Sequence, residues 1–339
     1  MTGTSLGTPV RHAQHASPVH EPPAAIRATG VVVVLAVVIA ILAIAFALPA
    51  VRSKPNHIPV GAAGPTAASG QIADMLEQHT PGAFTVTYYP GEDALRDAIR
   101  NRDVYGGIAF GADRPSLLIA TGASPMVAQM LTQIGAGIAQ QSGMPLHTED
   151  LAPPTASDPR GAGLAASALP ITLAGLLPAI ALVLVLRREI WTRFVAAVAF
   201  AGVAGIGIAA LLRYVFGSID DDMWLAAAGL TLGLLAAGLA MLGLGSLFGR
   251  VGLAIGAALA MLLGNPLSGL ASAPEMLPAG WGALGQWLPQ GATATLLRST
   301  AFFDGAGAAT AIAVLTGWAV AGTALIMLAA VRQRRTAIA

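Results

Sequence analysis

Residues 30–51 read GVVVVLAVVIAILAIAFALPAV, with no charged side chain from end to end. An apolar stretch of about 20 residues spans the roughly 30 Å hydrocarbon core of a bilayer. The chain is therefore expected to be integral to a membrane. A polar, domain-sized stretch follows at residues 52–160, and further apolar runs come at 164–186, 194–215, 224–248, 251–270 and 308–331. This order predicts an α-helical integral membrane protein with six transmembrane helices, one plus five. An α/β extracytoplasmic domain is then inserted between helices 1 and 2.

Composition points the same way. Apolar residues make up 55% of the chain and charged ones only 10%, while glycine and alanine are abundant, the profile of helices packing closely in lipid. A net charge of +1 argues against nucleic acid as a partner. Cysteine is absent, which excludes disulfides, thiolate metal sites and a thiol nucleophile. No cofactor and no metal are expected.

Orientation follows from the arginines, because Lys and Arg in short loops are retained in the cytoplasm. Arg11 and Arg27 precede the first run; Arg187, Arg188 and Arg193 separate the second and third; Arg250 separates the fourth and fifth; Arg332, Arg334 and Arg335 follow the sixth. With six alternating spans all of these fall on one side. Both termini are then cytoplasmic, residues 52–163 lie outside, and the chain is a multi-pass protein of the plasma membrane. Arg213 and Arg298 are exceptions to the pattern. The first run also has the outline of a signal peptide, with Ala45-Phe46-Ala47 as a cleavage site, yet its apolar core exceeds the ~7–15 residues usual for one. An uncleaved anchor is expected, and either outcome leaves the next domain outside. Residues 1–28, with Pro18, Pro22 and Pro23, read as a disordered cytoplasmic tail whose His12, His15 and His20 match no metal-binding spacing. Residues 332–339 form a second tail.

Periodicity within the polar stretch predicts β-α-β-α-β-β-α. Residues 58–62 form a short apolar run, Ile72, Met75 and Leu76 share a helical face, and Phe84, Val86 and Tyr88 alternate as a strand. Leu95, Ala98 and Ile99 mark a second helix, 104–110 and 117–121 read as strands, and Val127, Met130, Leu131, Ile134 and Ile138 mark a third helix. Such alternation favours helices packed on a sheet, without fixing strand order. The charged face at Glu92–Arg96 reads as solvated i,i+4 pairing, and Asp220-Asp221-Asp222 as an external turn with too few oxygens for calcium, which takes about 6–8. The proline-rich linker 150–163 returns the chain to the membrane.

No catalytic constellation is legible, and the chain is not expected to be an enzyme. A P-loop ATPase needs the lysine of G-x-x-x-x-G-K-[ST], whereas the lone lysine is Lys54, in Arg52-Ser53-Lys54-Pro55. Within the span boundaries there is no Asp, Glu, Lys or His, which weakens proton-coupled transport more than sodium coupling through backbone carbonyls.

Several local features together resemble the permease subunits of ABC-2 type transporters, and among them the phage infection protein family. They are Ile58-Pro59-Val60 after the first span, Ala94-Leu95-Arg96-Asp97-Ala98-Ile99 leading into Val104-Tyr105-Gly106-Gly107-Ile108, and Asp158-Pro159-Arg160-Gly161 before the second span. The last are Pro274-Glu275-Met276-Leu277-Pro278, Trp281, Trp287-Leu288-Pro289 and Arg298 before the sixth. The resemblance implies a half-transporter that pairs with a second copy or a relative, as homodimer or heterodimer, and with a separate ABC ATPase subunit. It implies that the loop carrying Arg187, Arg188, Glu189, Trp191 and Arg193 couples to that ATPase, although arginines held inside and a tryptophan in the interfacial belt explain the same residues. It also implies that 274–303 folds as an external re-entrant helix pair. Gly264-Asn265-Pro266 either interrupts the fifth span, exposing carbonyls to a pathway, or marks its outer end. Asn265, Pro266, Pro278, Trp281, Trp287, Pro289 and Arg298 are the pathway or re-entrant candidates. The competing function is a membrane-anchored receptor or scaffold whose external domain binds an envelope component or protein.

Overall fold

The structure is a computed structural model whose described residues are 23–110, 114–143, 145–220 and 222–338. Most of the expected N-terminal tail, with its three histidines, lies outside them, as does Asp221. The chain divides into two compact units, residues 1–43 and 44–339. The described part of the first, beyond Pro23, belongs to helix α1 (Ala24–Val51), which is apolar from Gly30 onward and exposes Val32, Leu35 and Ile39. A helix apolar all round has no aqueous face to present.

In the second unit the polar stretch folds into a five-stranded sheet. Its strands are β1 (Ile58–Ala63), β2 (Phe84–Tyr89), β3 (Gly106–Phe110), β4 (Pro115–Ile119) and β5 (His147–Asp150), in the order β2-β1-β3-β4-β5. The β3–β4 pair is antiparallel and the others are parallel. Helices α2 (Thr66–His79), α3 (Glu92–Arg100) and α4 (Pro125–Ser142) supply the connections. The predicted element order is found, and β5 is an addition. Strand β5 is short and polar, so nothing in its own pattern announced it; its pairing to β4 and the Arg96–Glu149 ion pair at 2.5 Å hold it. Arg96 also meets Glu92 at 2.9 Å, the expected i,i+4 contact. Helix α4 starts with Ser124 accepting from the Val127 amide and Pro125 in the first turn, and it ends at Gly143 in the left-handed region.

The remaining chain is helical: α5 (Ala162–Ala166), α6 (Ala168–Val185), α7 (Ile190–Ala210), α8 (Met223–Leu259), α9 (Trp281–Gln286), α10 (Pro289–Phe302) and α11 (Ala309–Ile338), with π turns closing α7 at Leu211–Val215 and α8 at Ala260–Gly264. Among the described residues five helices are long and apolar enough to cross a membrane: Ala24–Val51, Ala162–Val185, Ile190–Val215, Met223–Gly264 and Ala309–Arg335. The sequence predicts six because it separates 224–248 from 251–270, whereas α8 runs across both. Yet α8 is not one rod. Gly249 has φ 61° and ψ −138°, a left-handed backbone that glycine adopts without steric cost. On either side the limbs lie face to face. A Cβ on Gly245 would sit 2.5 Å from Leu253 Cδ2, and one on Gly256 would sit 2.5 Å from Met241 Sδ. Gly252 abuts the Leu244 carbonyl between them.

The near limb of α8 is the hub of the bundle. Gly175 of α6 meets Ala237, Gly205 of α7 meets Thr231, Thr293 of α10 meets Gly233, and Gly322 of α11 meets the Leu239–Ala240 backbone. Small residues let helices approach to backbone contact, which replaces the hydrophobic drive that lipid does not provide.

The two ends of the bundle differ. At one, Arg193 donates to Leu186 O at 2.6 Å and Ser246 Oγ at 3.2 Å, and Gln333 donates to Arg188 O at 3.2 Å. The 187–189 loop, the tip of the α8 hairpin and the end of α11 are thereby gathered together. At the other end the sheet meets the bundle. Asp158 accepts from Ser218 Oγ at 2.7 Å, Thr155 donates to Gly217 O, and Lys54 N donates to Met276 O at 3.0 Å. Arg213, an exception by charge, donates to Ile219 O at 2.9 Å and lies 3.7 Å from Asp220. Asp222 caps α8 by accepting from Trp224 N at 2.8 Å. The described members of the acidic trio thus serve the turn they sit in.

Candidate functional site at the junction of sheet and bundle

The segment 265–303 forms the seam between sheet and bundle. After the π turn at Gly264 the helix stops, and residues 265–273 run without regular structure yet mostly buried, including Asn265 at 8% exposure. Irregular backbone away from water needs internal partners for its polar groups. Arg298 provides them: Nη1 donates to Gly269 O at 2.7 Å and Nη2 to Leu270 O at 2.6 Å. The guanidinium that broke the charge pattern is a fastener for an unwound strand. Of the two readings of Gly264-Asn265-Pro266, an interruption or a helix end, the helical turns end at Gly264.

The expected helix pair is α9 and α10. Pro289 occupies the first turn of α10, where a missing amide costs nothing. Helix α10 is buried on almost every side, polar residues included: Gln290, Thr293, Arg298, Ser299 and Thr300 are all below one-tenth exposed. Thr293 and Thr300 bond back to carbonyls of their own helix. The sheet core shares this seam, since Ala273 and Met276 pack with Ile58, Ile108 and Val127, and Phe303 with Leu95 and Leu118.

Across the seam lies a polar cluster that the sequence did not single out. Arg102 Nη1 donates to Thr295 O at 3.1 Å and also to Ser299 Oγ, and its guanidinium stands 5.3 Å from the Phe303 ring centroid. Tyr105 Oη donates to Glu275 Oε2 at 2.7 Å. Burial, reinforced by the Glu275 charge and the bond to it, holds the Tyr105 proton far above the ordinary phenol range. Burial pulls the Arg102 pKa down. Arg102, Tyr105 and Glu275, with Asn56, His57, Gln286 and Arg298, line a cavity of about 440 Å³. A second cavity, about 510 Å³, is lined by Arg160, Gln129, Met126, Leu164 and Phe302, and also by Arg298. Among the described non-glycine residues three have positive φ, namely His57 at 53°, Arg102 at 65° and Asp304 at 50°, and the first two line the first cavity.

Of the residues singled out from sequence, Arg298 and Pro278 line this cavity, while Asn265, Pro266, Trp281 and Pro289 lie on the surrounding seam. Trp287 is 69% exposed, its carbonyl accepting from Trp318 Nε1 at 2.8 Å. The loop residues Arg187, Arg188, Glu189 and Trp191 are far from the cavity in the fold, at the opposite end of the bundle, and exposed. Arg193 is not exposed with them. It turns inward at 4% exposure and donates to the carbonyls of Leu186 and Arg187, just past the end of α6.

Compared with known proteins, the chain matches no family model, no curated protein and no solved structure.

Proposed function

We propose that the chain is the membrane-spanning permease subunit of an ABC-2 type exporter, moving a substrate outward with ATP hydrolysed by a separate subunit. In this reading the two limbs of α8 are separate spans, giving one plus five. The sheet unit is extracytoplasmic, both termini are cytoplasmic, and a second copy or a relative completes the pathway in the plasma membrane. The observation that carries the reading is the segregation of the ends. Arg187 and Arg188 in the loop after α6, Arg250 beside the α8 kink, and Arg332 and Arg334 in the last turns of α11 are gathered opposite the sheet, with Glu189 as an acid beside them. There the 187–191 loop exposes Arg187, Arg188 and Trp191 on a turn held from within by Arg193. An exposed cationic and aromatic loop on a rigid support suits a docking contact.

A second reading, a membrane-anchored receptor, is favoured by one observation: two cavities with arginine in their lining, of about 440 and 510 Å³, lie where the sheet meets the bundle.

The experiment is a mild-detergent pull-down of the tagged chain from its native membrane, beside the variant Arg188→Ala, Trp191→Ala. Arg193 is left intact because its removal would disturb α6. Capture of an ATP-binding subunit that the variant loses, while its thermal stability is unchanged, supports the permease. Absence of any ATP-binding protein, under conditions that keep other membrane complexes together, overturns it in favour of the receptor.

A further inference from the structure

The junction cavity carries more positive charge than its protein groups neutralise. Arg102 and Arg298 line it, and Glu275 is the one acid among the described lining residues. One Glu275 oxygen is already engaged by Tyr105. Arg298 is 4% exposed and its bonds go to two backbone carbonyls, which supply dipoles but no net charge. The neighbouring cavity shares Arg298 and adds Arg160, with no acid among its described lining residues. A charge withdrawn from water is ordinarily paired with its opposite, because its desolvation is otherwise uncompensated.

An independent observation concerns a neutral group. Gln286 Oε1 accepts from Thr295 Oγ1 at 2.6 Å, but Gln286 Nε2 is buried with no acceptor among the described residues. Among the described residues it is the one fully buried side-chain nitrogen or oxygen without a hydrogen-bond partner. Unmet buried donors cost about 1–3 kcal/mol and call for an explanation where they persist. The same wall holds His57 and Arg102 in left-handed backbone, a strain that accumulates at ligand clamps.

We propose that this cavity binds an oxyanion, a carboxylate or phosphate carried on a small organic body, between Arg102, Arg298 and the Gln286 amide. One negative charge balances the excess guanidinium, and a small rotation of the Gln286 side chain brings its buried Nε2 to the oxygens. The volume of about 440 Å³ falls within the ~300–1,000 Å³ of small-molecule sites. Pro59, Val104, Leu277 and Pro278 offer the organic portion an apolar wall. The inference does not depend on export.

The ligand is either soluble or the headgroup of a lipid, and the test separates the two. The full chain is reconstituted in phosphatidylcholine nanodiscs, and its Tm is followed against glycerol phosphate and succinate, with glycerol as the uncharged control. A second preparation holds phosphatidylglycerol and no added probe. A saturable rise of several degrees with a soluble oxyanion, absent with glycerol, supports a soluble ligand. A rise in phosphatidylglycerol alone supports a headgroup. In either case Gln286→Glu, which keeps the acceptor for Thr295 and places a carboxylate in the cavity, should raise the Tm without any probe and erase the gain. Gln286→Leu, which removes the donor without adding charge, should weaken the apparent affinity at least tenfold. The proposal is overturned if neither the probes nor the anionic lipid move the wild-type Tm, or if Gln286→Glu keeps the full gain.

Discussion

Tyr105, on the sheet, and Glu275, on the seam of the bundle, share a hydrogen bond of 2.7 Å between residues 170 apart in sequence. Tyr105→Phe removes the donor and leaves the carboxylate short of a partner, a loss of about 1–3 kcal/mol. Glu275→Gln weakens the same bond from the other side. A double-mutant cycle read by thermal unfolding should show coupling of about 0.5–3 kcal/mol. Strict additivity would mean that this bond does not join the two parts.

Asp158 gives a pH signature. Its carboxylate accepts from Ala162 N and Gly163 N, each at 2.8 Å, and from Ser218 Oγ at 2.7 Å. Desolvation works to raise its pKa, but the Ser218 hydroxyl and the two amides outweigh it, so the net shift is downward. A depressed folded-state pKa contributes stability that is complete above the unfolded value of about 3.9 and is lost as pH falls through the folded value. Asp158→Asn should cost about 1 kcal/mol at neutral pH, typical of a lost cap, and should narrow its gap from wild type as pH falls through that window. A gap constant with pH would contradict the assignment.

Helix α11 supplies a paired test of close packing. Gly322 faces the α8 backbone at Leu239 and Ala240, whereas a Cβ on Gly317 would meet nothing within 4 Å. Gly322→Ala should destabilise by about 1–3 kcal/mol through overpacking. Gly317→Ala should be neutral or stabilising, since alanine is favoured over glycine in helices by about 1 kcal/mol. Equal effects on Tm would show that the α8–α11 seam is looser than its glycines indicate.

The absence of native cysteine permits a clean test of topology. Single cysteines replacing Arg250, at the hairpin tip, and Arg188 should react with an impermeant maleimide only when the cytoplasmic face is exposed. Ser157→Cys, in the linker that leaves the sheet, should react in intact cells. If residues 250 and 157 label from the same side, the two limbs of α8 are not separate spans.

Much of the fold was legible because its signals are local. Apolar runs located the helices, and alternation located β2 and its neighbours. Gly249 lay in the gap between two predicted spans, although its continuity with both sides merges them into one assigned helix. Strand order was not legible, since β1 pairs with both β2 and β3 through contacts that no single window contains. The Arg298 guanidinium was visible as an anomaly of charge, and its reason lies in the carbonyls of Gly269 and Leu270, two dozen or more residues away. Gln286 carried no signal at all. An amide in a short helix becomes conspicuous only when its neighbours in space are known.

The sheet is held to the bundle where its chain enters and where it leaves: Lys54 on Met276, and Thr155 with Asp158 on the 217–218 turn. A rigid body fastened at two points keeps a single freedom, rotation about the line between them. The Arg102 bonds to Thr295 and Ser299, the Tyr105–Glu275 bond and the packing of Phe303 on Leu95 and Leu118 fasten further points and oppose that rotation. Releasing one guanidinium from α10 therefore loosens the seam about an axis that the chain's own entry and exit define, while the Tyr105–Glu275 bond and the Phe303 packing still hold it.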